Sequence, residues 1–575
     1  MSSIRVNLEH KGPLTLYPTD HIATGGEASL YRKGGTVIKI YLDPDKMRRD
    51  AMAKKIKHLA GIRHDFIIAP QGIVTNDRDV EVGYYMPNAE GEALAKIFTN
   101  SFRQQVGLND KDTSRLVDYM RDTVQFAHDH EAIMVDANEL NWMVALGGKK
   151  GPEPRALDVD SWVIRNDIPA KVPKMPSIRD WFSPLVSRES DWYAWGIVTF
   201  QVFSGIHPFK GTLDGYDRNE MERRMKEKAS VFTKGVKLNH AVRDFSCIPG
   251  RLRDWYQAVF QSEQRGVPPS PFDTGAAVAP AAKIARVIVT ATGKLAFEKV
   301  FSASNDPVIR IFPCGVVLLA SGALIDLATK RRITKAISRD CEVIKTSKGW
   351  LKGDKVRQTF VFSYIEEQGL QETPLTLTLD GQRIVRYENR MFLVTDKGLT
   401  ELTLQMLGRP ILSVKNTWGV MVNSTHWFDG VGVQDAMGAK YLIAPFSDSA
   451  CGQIRVRELD GLVPVAARAG NRFISVIAAD SKGNYRKIEF TFDAEYTSYQ
   501  VWKGDATSPE LNAAILPKGV CATILDDGEL IIFVPSNGKV IKVQDRHITA
   551  EMLLSNWENN VVYVLDGSVW KVSMT

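Results

Sequence analysis

The sequence predicts a multidomain chain, α+β in its first part and all-β in its second, on three observations. Its 575 residues exceed what one hydrophobic core holds. Residues 1–265 mix alternating apolar strands with stretches of helical period, whereas residues 284–575 carry short alternating runs with hardly any helical period. Between them, residues 266–283 open with Gly-Val-Pro-Pro-Ser-Pro and continue rich in Ala, a composition suited to a connector.

Composition bounds the function. Hydrophobic residues make up 44% and charged residues 24%, as in globular domains. The net charge of +6 is small for this length and no long basic run occurs, which argues against a nucleic-acid surface. Arg223-Arg224 and Lys330-Arg331-Arg332 read as solvated faces or turns. The cysteines, Cys247, Cys314, Cys341, Cys451 and Cys521, are odd in number and dispersed, so neither a disulfide framework nor a zinc site is expected. The opening Met1-Ser-Ser-Ile-Arg-Val-Asn lacks the apolar core of a signal peptide. The most apolar stretch, 308–328, is cut by Arg310, Pro313, Gly315, Gly322 and Asp326 into hairpin-sized pieces, too short to span a bilayer. A cytoplasmic protein without membrane contact is the expectation.

Residues 21–42 read as a hairpin and a strand. Small residues Ala23, Gly25, Gly26 and Ala28 surround the hairpin tip, where a bare backbone can approach phosphate oxygens. Lys39 sits among Val37, Ile38 and Ile40. A helical stretch from Asp45 to Leu59 holds no glutamate, and Asp50 is the one acid well inside it. Residues 80–91, with Gly-Tyr-Tyr-Met-Pro at their centre, read as a strand running into a connector. Residues 111–132 form an amphipathic helix with Leu116, Met120, Val124 and Ala127 on one face. It leads into Ile133-Met-Val-Asp-Ala-Asn-Glu-Leu-Asn-Trp-Met-Val144, which sets Asp136 and Asn141 between two apolar runs. Asp158 ends a further apolar run, a proline-rich loop covers 161–189, and Asp191 opens a largely apolar helix through residue 204.

Each signal is weak alone; in this order and at these separations they resemble the protein kinase fold, over the N-terminal part only. The Gly-Tyr-Tyr-Met-Pro and Leu-Asp-Val-Asp-Ser strings are similar to a bacterial kinase group often paired with metal-dependent phosphatases, which points to a bacterial or phage Ser/Thr kinase type. The resemblance implies a bilobal domain over 1–265. Asp136 and Lys39 would be catalytic. Ala23, Gly25, Gly26, Ala28, Lys39, Met86, Pro87 and Ala89 would hold ATP, and Asn141 and Asp158 would hold Mg. His128 would be a packing residue, and Asp191 would cap the backbone before Asp136.

The departures are specific. Gly25 alone keeps its register in the glycine pattern. The helix glutamate that fixes the lysine is absent, with Asp50 the sole substitute. Met134-Val135 replaces His-Arg, so no arginine waits for an activation-loop phosphate. Val159-Asp160 replaces Phe-Gly, adding a carboxylate near the metal position. No Ala-Pro-Glu occurs, Ser183-Pro184-Leu185 lying nearest its place. An ATP- and Mg-dependent kinase acting on Ser/Thr hydroxyls is the leading expectation. The alternatives are a pseudokinase with a scaffolding role, for example in a phage or bacterial assembly, and AMP transfer by the same fold.

In 284–575 alternating runs recur between turn signals such as Ser321-Gly322, Asp380-Gly381, Asp429-Gly430 and Lys482-Gly483-Asn484. At ~40–45 residues per four-stranded blade, this predicts a β-propeller of about six or seven blades, with two stacked β-sandwiches as the alternative. Asp429, Asp435 and Asp448 read as scattered surface carboxylates, and His426, Trp427 and Phe428 as a rim loop or core aromatics. The β region would recruit a protein substrate or partner, in the host cytoplasm if phage-encoded.

Overall fold

In the computed structural model the described residues are 3–43, 45–49, 51–148, 151–164, 175–183, 185–217, 220–238, 241–273, 295–303, 305–357, 359–377, 379–447, 450–506, 508–524, 529–535, 539–543, 545, 547–549 and 551–574. The chain is multidomain and sheet-rich. It opens with seven antiparallel strands, β1 (Ile4–Leu8), β2 (Gly12–Leu16), β3 (His21–Thr24), β4 (Ala28–Lys33), β5 (Thr36–Tyr41), β6 (Gly72–Asn76) and β7 (Glu81–Pro87), in the order β2-β1-β6-β7-β5-β4-β3. Sequence reading did not identify the β1–β2 hairpin. Its signal was there in the alternating Ile4, Val6, Leu8 and Leu14, Leu16 about Gly12, whose φ of 87° suits glycine in the turn. The expected helix from Asp45 to Leu59 is two short ones, α1 (Lys46–Arg49) and α2 (Met52–Leu59), with Ala51 left-handed at φ 49° between them. Asp50 lies outside the described residues. Ala28, Tyr41, Met47, Met52, Ile56, Ile73 and Tyr84 join α1 and α2 to the sheet in one apolar cluster.

A helical part follows, with α3 (Asn100–Val106), α4 (Asp110–Asp129) and α5 (Arg188–Ser204), then α6 (Met221–Lys226) and α7 (Gly250–Ser262). The expected helices over 111–132 and 191–204 are α4 and α5. Helix α4 starts on a capping box, in which the Asn109 side chain accepts from the Asp112 amide and Asp112 accepts from the Asn109 amide. From Ser190 onward every residue of α5 is buried, so its sequence is apolar all round and carries little amphipathic signal. Arg224, read as solvated, is instead 3% exposed, and its guanidinium donates to the carbonyls of Ala229 and Gly211.

Among the described residues the C-terminal region holds seven four-stranded antiparallel sheets. Six are consecutive meanders, running from Val308–Phe312 to Arg332–Lys335, Cys341–Thr346 to Glu372–Leu375, Arg383–Tyr387 to Arg409–Trp418, Thr425–Trp427 to Ala450–Arg455, Val463–Gly470 to Tyr499–Ala506, and Ala513–Ile515 to Lys539–Val543. The seventh combines Leu553–Trp557, Asn560–Leu565 and Ser568–Met574 with Leu295–Ser302, the first described strand of the region. Neighbouring sheets pack in sequence order and the last returns to the first, where Ser555 Oγ donates to the Ile311 carbonyl at 3.4 Å.

Alternating charges link these sheets. Arg310 of the first sheet pairs with Glu342 of the second at 2.5 Å, Glu342 with Arg386 of the third at 3.4 Å, and Arg386 with Asp429 before the fourth sheet's second strand at 2.7 Å. Asp429 then pairs with Arg468 of the fifth sheet at 3.0 Å, and the Arg468 guanidinium donates to the carbonyls of Ala513 in the sixth and Leu554 in the seventh. Two acids thus unite three arginines, and the resulting field holds the Asp429 carboxyl below its usual range despite burial. This corrects the expectation of scattered surface carboxylates: Asp429 is a ring member, and Asp435 is 3% exposed and paired with Lys440 at 2.6 Å. Asp448 lies outside the described residues. Trp427 is a core aromatic, 6% exposed within a strand, while His426 beside it is exposed.

The two parts share a core. Val465, Ile477, Ala479 and Tyr485 of the fifth sheet belong to the same buried cluster as α4, α5 and α7. The connector is also less bare than its composition implied: the Pro268 carbonyl accepts from Arg121 Nε at 2.9 Å, and Ser270 Oγ donates to Asp118 at 2.7 Å. Its remainder, 274–283, lies outside the described residues.

Two expectations follow. Asp429→Ala strands Arg386 and Arg468 without their shared anion, so chemical denaturation should register a loss of roughly 2–3 kcal/mol. Because the cluster crosses between the parts, calorimetry should show one melting transition; two resolved transitions would mean that the shared core contributes little.

Candidate functional site

The site lies where the strand sheet meets the helical part. Lys39 projects from β5, and its ammonium donates to Asp158 Oδ1 at 2.6 Å and to both oxygens of Asp160 at 2.8 and 2.9 Å. Asp160 is 4% exposed and also accepts from the hydroxyls of Tyr41 at 2.6 Å and Tyr84 at 2.7 Å. Its backbone carbonyl accepts from Lys55 of α2. Burial alone would raise the Asp160 carboxyl, but Lys39 and the donated hydrogen bonds hold it well below the carboxylate range. Burial likewise opposes the Lys39 charge, and the two carboxylates outweigh it, so the ammonium stays protonated. Asp158 is raised, by burial and by the neighbouring charge of Asp160.

Asp160, on the turn after Asp158, supplies the buried acid to Lys39, while α2 presents Lys55 to the Asp160 carbonyl. The sequence reading placed Asp160 beside the metal position, and the structure commits its carboxylate to Lys39, Tyr41 and Tyr84 instead. Tyr41 and Tyr84 were missed. The available signal was Tyr41 two residues after Lys39, hence on the same face of β5.

The Asp136 loop is built around Asp191. Its carboxylate accepts from the amides of Met134 at 2.6 Å and Val135 at 2.9 Å and meets His128 Nε2 at 3.0 Å, all nearly sealed from solvent. These bonds hold Val135 left-handed, φ 66°, a strained conformation for a β-branched residue. His128 and Asp191 thus have the supporting roles expected of them. Asp136 Oδ1 accepts from the Met175 amide at 3.0 Å and Oδ2 from Asn138 Nδ2 at 3.1 Å. Asn141 Nδ2 donates to the Asp136 carbonyl at 2.7 Å, and the Leu157 amide donates to the Asn141 carbonyl at 2.9 Å. A bonded path thus runs Asp136, Asn141, Leu157, Asp158, Lys39, though Asp136 and Lys39 do not touch.

The β3–β4 turn and the end of β7 belong to the same sheet as Lys39. Gly25 and Gly26 occupy the β3–β4 turn with open space where a side chain would be, the Gly25 amide donating to the Ala28 carbonyl at 2.9 Å. Ala23 pairs with Leu30 in the hairpin. Ala28 is 5% exposed and packs into the apolar cluster, so only its backbone faces the turn. Glu27 at the tip is paired with Lys46 of α1. Met86 and Pro87 pair with Val37 and Thr36 at the end of β7, and the Asn88 amide is taken by Gly35. Ala89 follows, half-buried, and Glu92–Ala93 then pairs with Trp142–Ala145 immediately after the Asp136 loop.

Asp158 remains partly open with its Oδ1 bonded to Lys39, and the Asn141 amide nitrogen is turned to the Asp136 carbonyl. Among the described residues no three His, Cys, Asp or Glu side chains gather as a metal site. Among the described residues no helix is long and apolar enough to cross a membrane, and all five cysteines are free thiols. No family model matches the chain, and no curated protein matches it.

The two acids should separate by stability. Asp160→Ala leaves a buried ammonium and two buried hydroxyls without their acceptor and should cost about 3–5 kcal/mol in urea unfolding. Asp158→Ala removes a partly solvated group and should cost less than about 1 kcal/mol. Equal losses would show that Asp160 is not the principal anchor.

Proposed function

We propose that the N-terminal part is a divergent, bilobal protein kinase-like domain that transfers the γ-phosphoryl group of ATP to a Ser or Thr hydroxyl. On this reading residues 1–265 form that domain, 266–283 a connector and 284–575 a seven-bladed β-propeller. The cyclic packing of seven four-stranded sheets, with the first strand of the region completing the last sheet, supports the propeller over two stacked sandwiches.

The observation that carries the reading is the bonded path from Asp136 through Asn141 and Asp158 to Lys39. It gathers residues 39, 136, 141 and 158, distant in sequence, into the order that phosphoryl transfer needs. Lys39 would meet the α- and β-phosphates, and the carbonyls and amides around Met86, Pro87 and Ala89 would hold the adenine. Gly25 and Gly26 would let backbone lie over the phosphates. Asn141 and Asp158 would hold Mg, which neutralises charge developing on the transferred group. Asp136 accepts the proton of the attacking hydroxyl as its oxygen bonds to the γ-phosphorus; the bond from that phosphorus to the bridging oxygen breaks, and ADP leaves. Burial of the Lys39–Asp160 pair supports a site assembled without a helix swing.

A second reading, a pseudokinase with a scaffolding role, is favoured by one observation: the Lys39 ammonium is already saturated by two carboxylates. Incubation with magnesium and γ-labelled or α-labelled ATP separates the readings. Label from the γ-position is expected. Label from the α-position alone would mean AMP transfer, and no label with retained nucleotide binding a pseudokinase. Within the kinase reading, Asp136→Asn should abolish transfer with ATP affinity unchanged, and Asp158→Ala should weaken magnesium-dependent nucleotide binding by calorimetry.

A further inference from the structure

The Asp136 loop does not stand on the N-terminal part alone. The Met175–Ile178 segment, which gives its Met175 amide to Asp136, is pressed from outside by the turn between Phe473–Ala479 and Tyr485–Phe492 of the fifth sheet. That turn is rigid. Asp480 Oδ1 accepts from the amides of Lys482 and Asn484, both at 2.9 Å, and its carbonyl accepts from the Gly483 amide at 3.1 Å. Gly483, at φ 78°, abuts the segment so closely that a Cβ there would lie 2.3 Å from Ser177 Oγ and 3.0 Å from Met175 Sδ. From the other side His207 Nε2 meets the Ser177 carbonyl at 2.8 Å, so the segment is gripped between two walls. Burial depresses His207 to about 3, which keeps that imidazole neutral at ordinary pH.

A second contact from the same hairpin reaches the loop itself. Tyr485 is buried and its hydroxyl donates to Glu139 Oε1 at 3.4 Å, three residues beyond Asp136. Glu139 is 2% exposed, and burial holds its carboxyl above the usual range. Lys210 lies over the Tyr485 ring at 5.4 Å and adds a cation to the same pocket.

We infer that the 480–485 turn of the C-terminal region is a positioning element of the Asp136 loop, Gly483 fixing Asp136 through Met175 and Tyr485 fixing the loop through Glu139. This rests on the kinase reading of Asp136. It assigns the C-terminal region a part in the chemical step, in addition to any recruitment of partners. The carboxylate accepts a proton productively only within a narrow geometry, and the turn sets that geometry from a separate sheet.

Gly483→Ala tests it in the full chain. The added methyl must displace Ser177 and with it the Met175 amide, so turnover should fall about tenfold or more, with KM for ATP changing less than twofold. The double variant Gly483→Ala with Ser177→Gly removes the obstructing hydroxyl and should recover most of that loss. Gly369→Ala is the control, since it has a similar φ of 88° with nothing within 4 Å of the new methyl, and should leave turnover unchanged. Unchanged turnover in Gly483→Ala, a rise in turnover, or an equal change in KM for ATP would overturn the inference, the rise marking the turn as a brake. Hydrogen exchange at the Met175 amide reads the geometry without activity. Faster exchange in Gly483→Ala than in the parent supports the positioning link, and identical exchange overturns it. A parent protein that transfers no label defeats the kinase reading, while this exchange comparison still decides the link.

Discussion

The buried carboxylate of Asp160 is the constraint on which the geometry around Lys39 depends. It receives Lys39 from β5, Tyr41 from the same strand and Tyr84 from β7, and its carbonyl receives Lys55 from α2. Strand, sheet and helix are thereby tied to one short turn. An anion removed from water is tolerable only when its lone pairs are filled, and here three donor groups make four hydrogen bonds to the two carboxylate oxygens. Because the acid lies on the turn that carries Asp158, the lysine and the candidate metal ligand are fixed by one element. In a site built on a helix glutamate they are fixed by two that can move apart.

A second constraint is the shared surface between the two parts. Met437 receives the hydroxyls of Thr24 and Tyr31 beneath the β3–β4 hairpin, and Asn423 pairs with Arg32 and donates to the Thr19 carbonyl at 3.1 Å. Glu510 caps the start of α3 through the Asn100 amide at 2.8 Å. The C-terminal region thus holds the strand sheet at the β3–β4 hairpin and the helical part at the start of α3.

What the sequence disclosed followed the reach of its patterns. The Asp136–Asn141 spacing was legible because it sits between two apolar runs in continuous sequence, and Asp191 because an acid near the start of an otherwise largely apolar helix stands out. The four-stranded sheets were legible from turn signals, with the count left at six or seven because no motif repeats. The partner of Lys39 was not legible: a left-handed Asp158, φ 54°, turns Asp160 inward, and no local propensity announces that turn. Nor was the charge ring, whose members come from five different sheets or their approaches. Nor was the part that Tyr485, Ile477 and Ala479 play in the helical core, because alternation says which face strand residues share and nothing of what covers it.

The pairing of Leu295–Ser302 with Ser568–Met574 has a consequence for how the chain reaches its fold. Leu295–Ser302 has its strand partner only once Ser568–Met574 has been synthesised. Contacts of such sequence separation carry a high loop-closure entropy and form slowly. The helical part waits as well, because Val465, Ile477 and Tyr485, which complete its core, emerge long after α5 and α7. During that interval its apolar face is uncovered. A nascent chain of this design is therefore exposed to aggregation until residues 465–485 cover the helical part and Ser568–Met574 pairs with Leu295–Ser302.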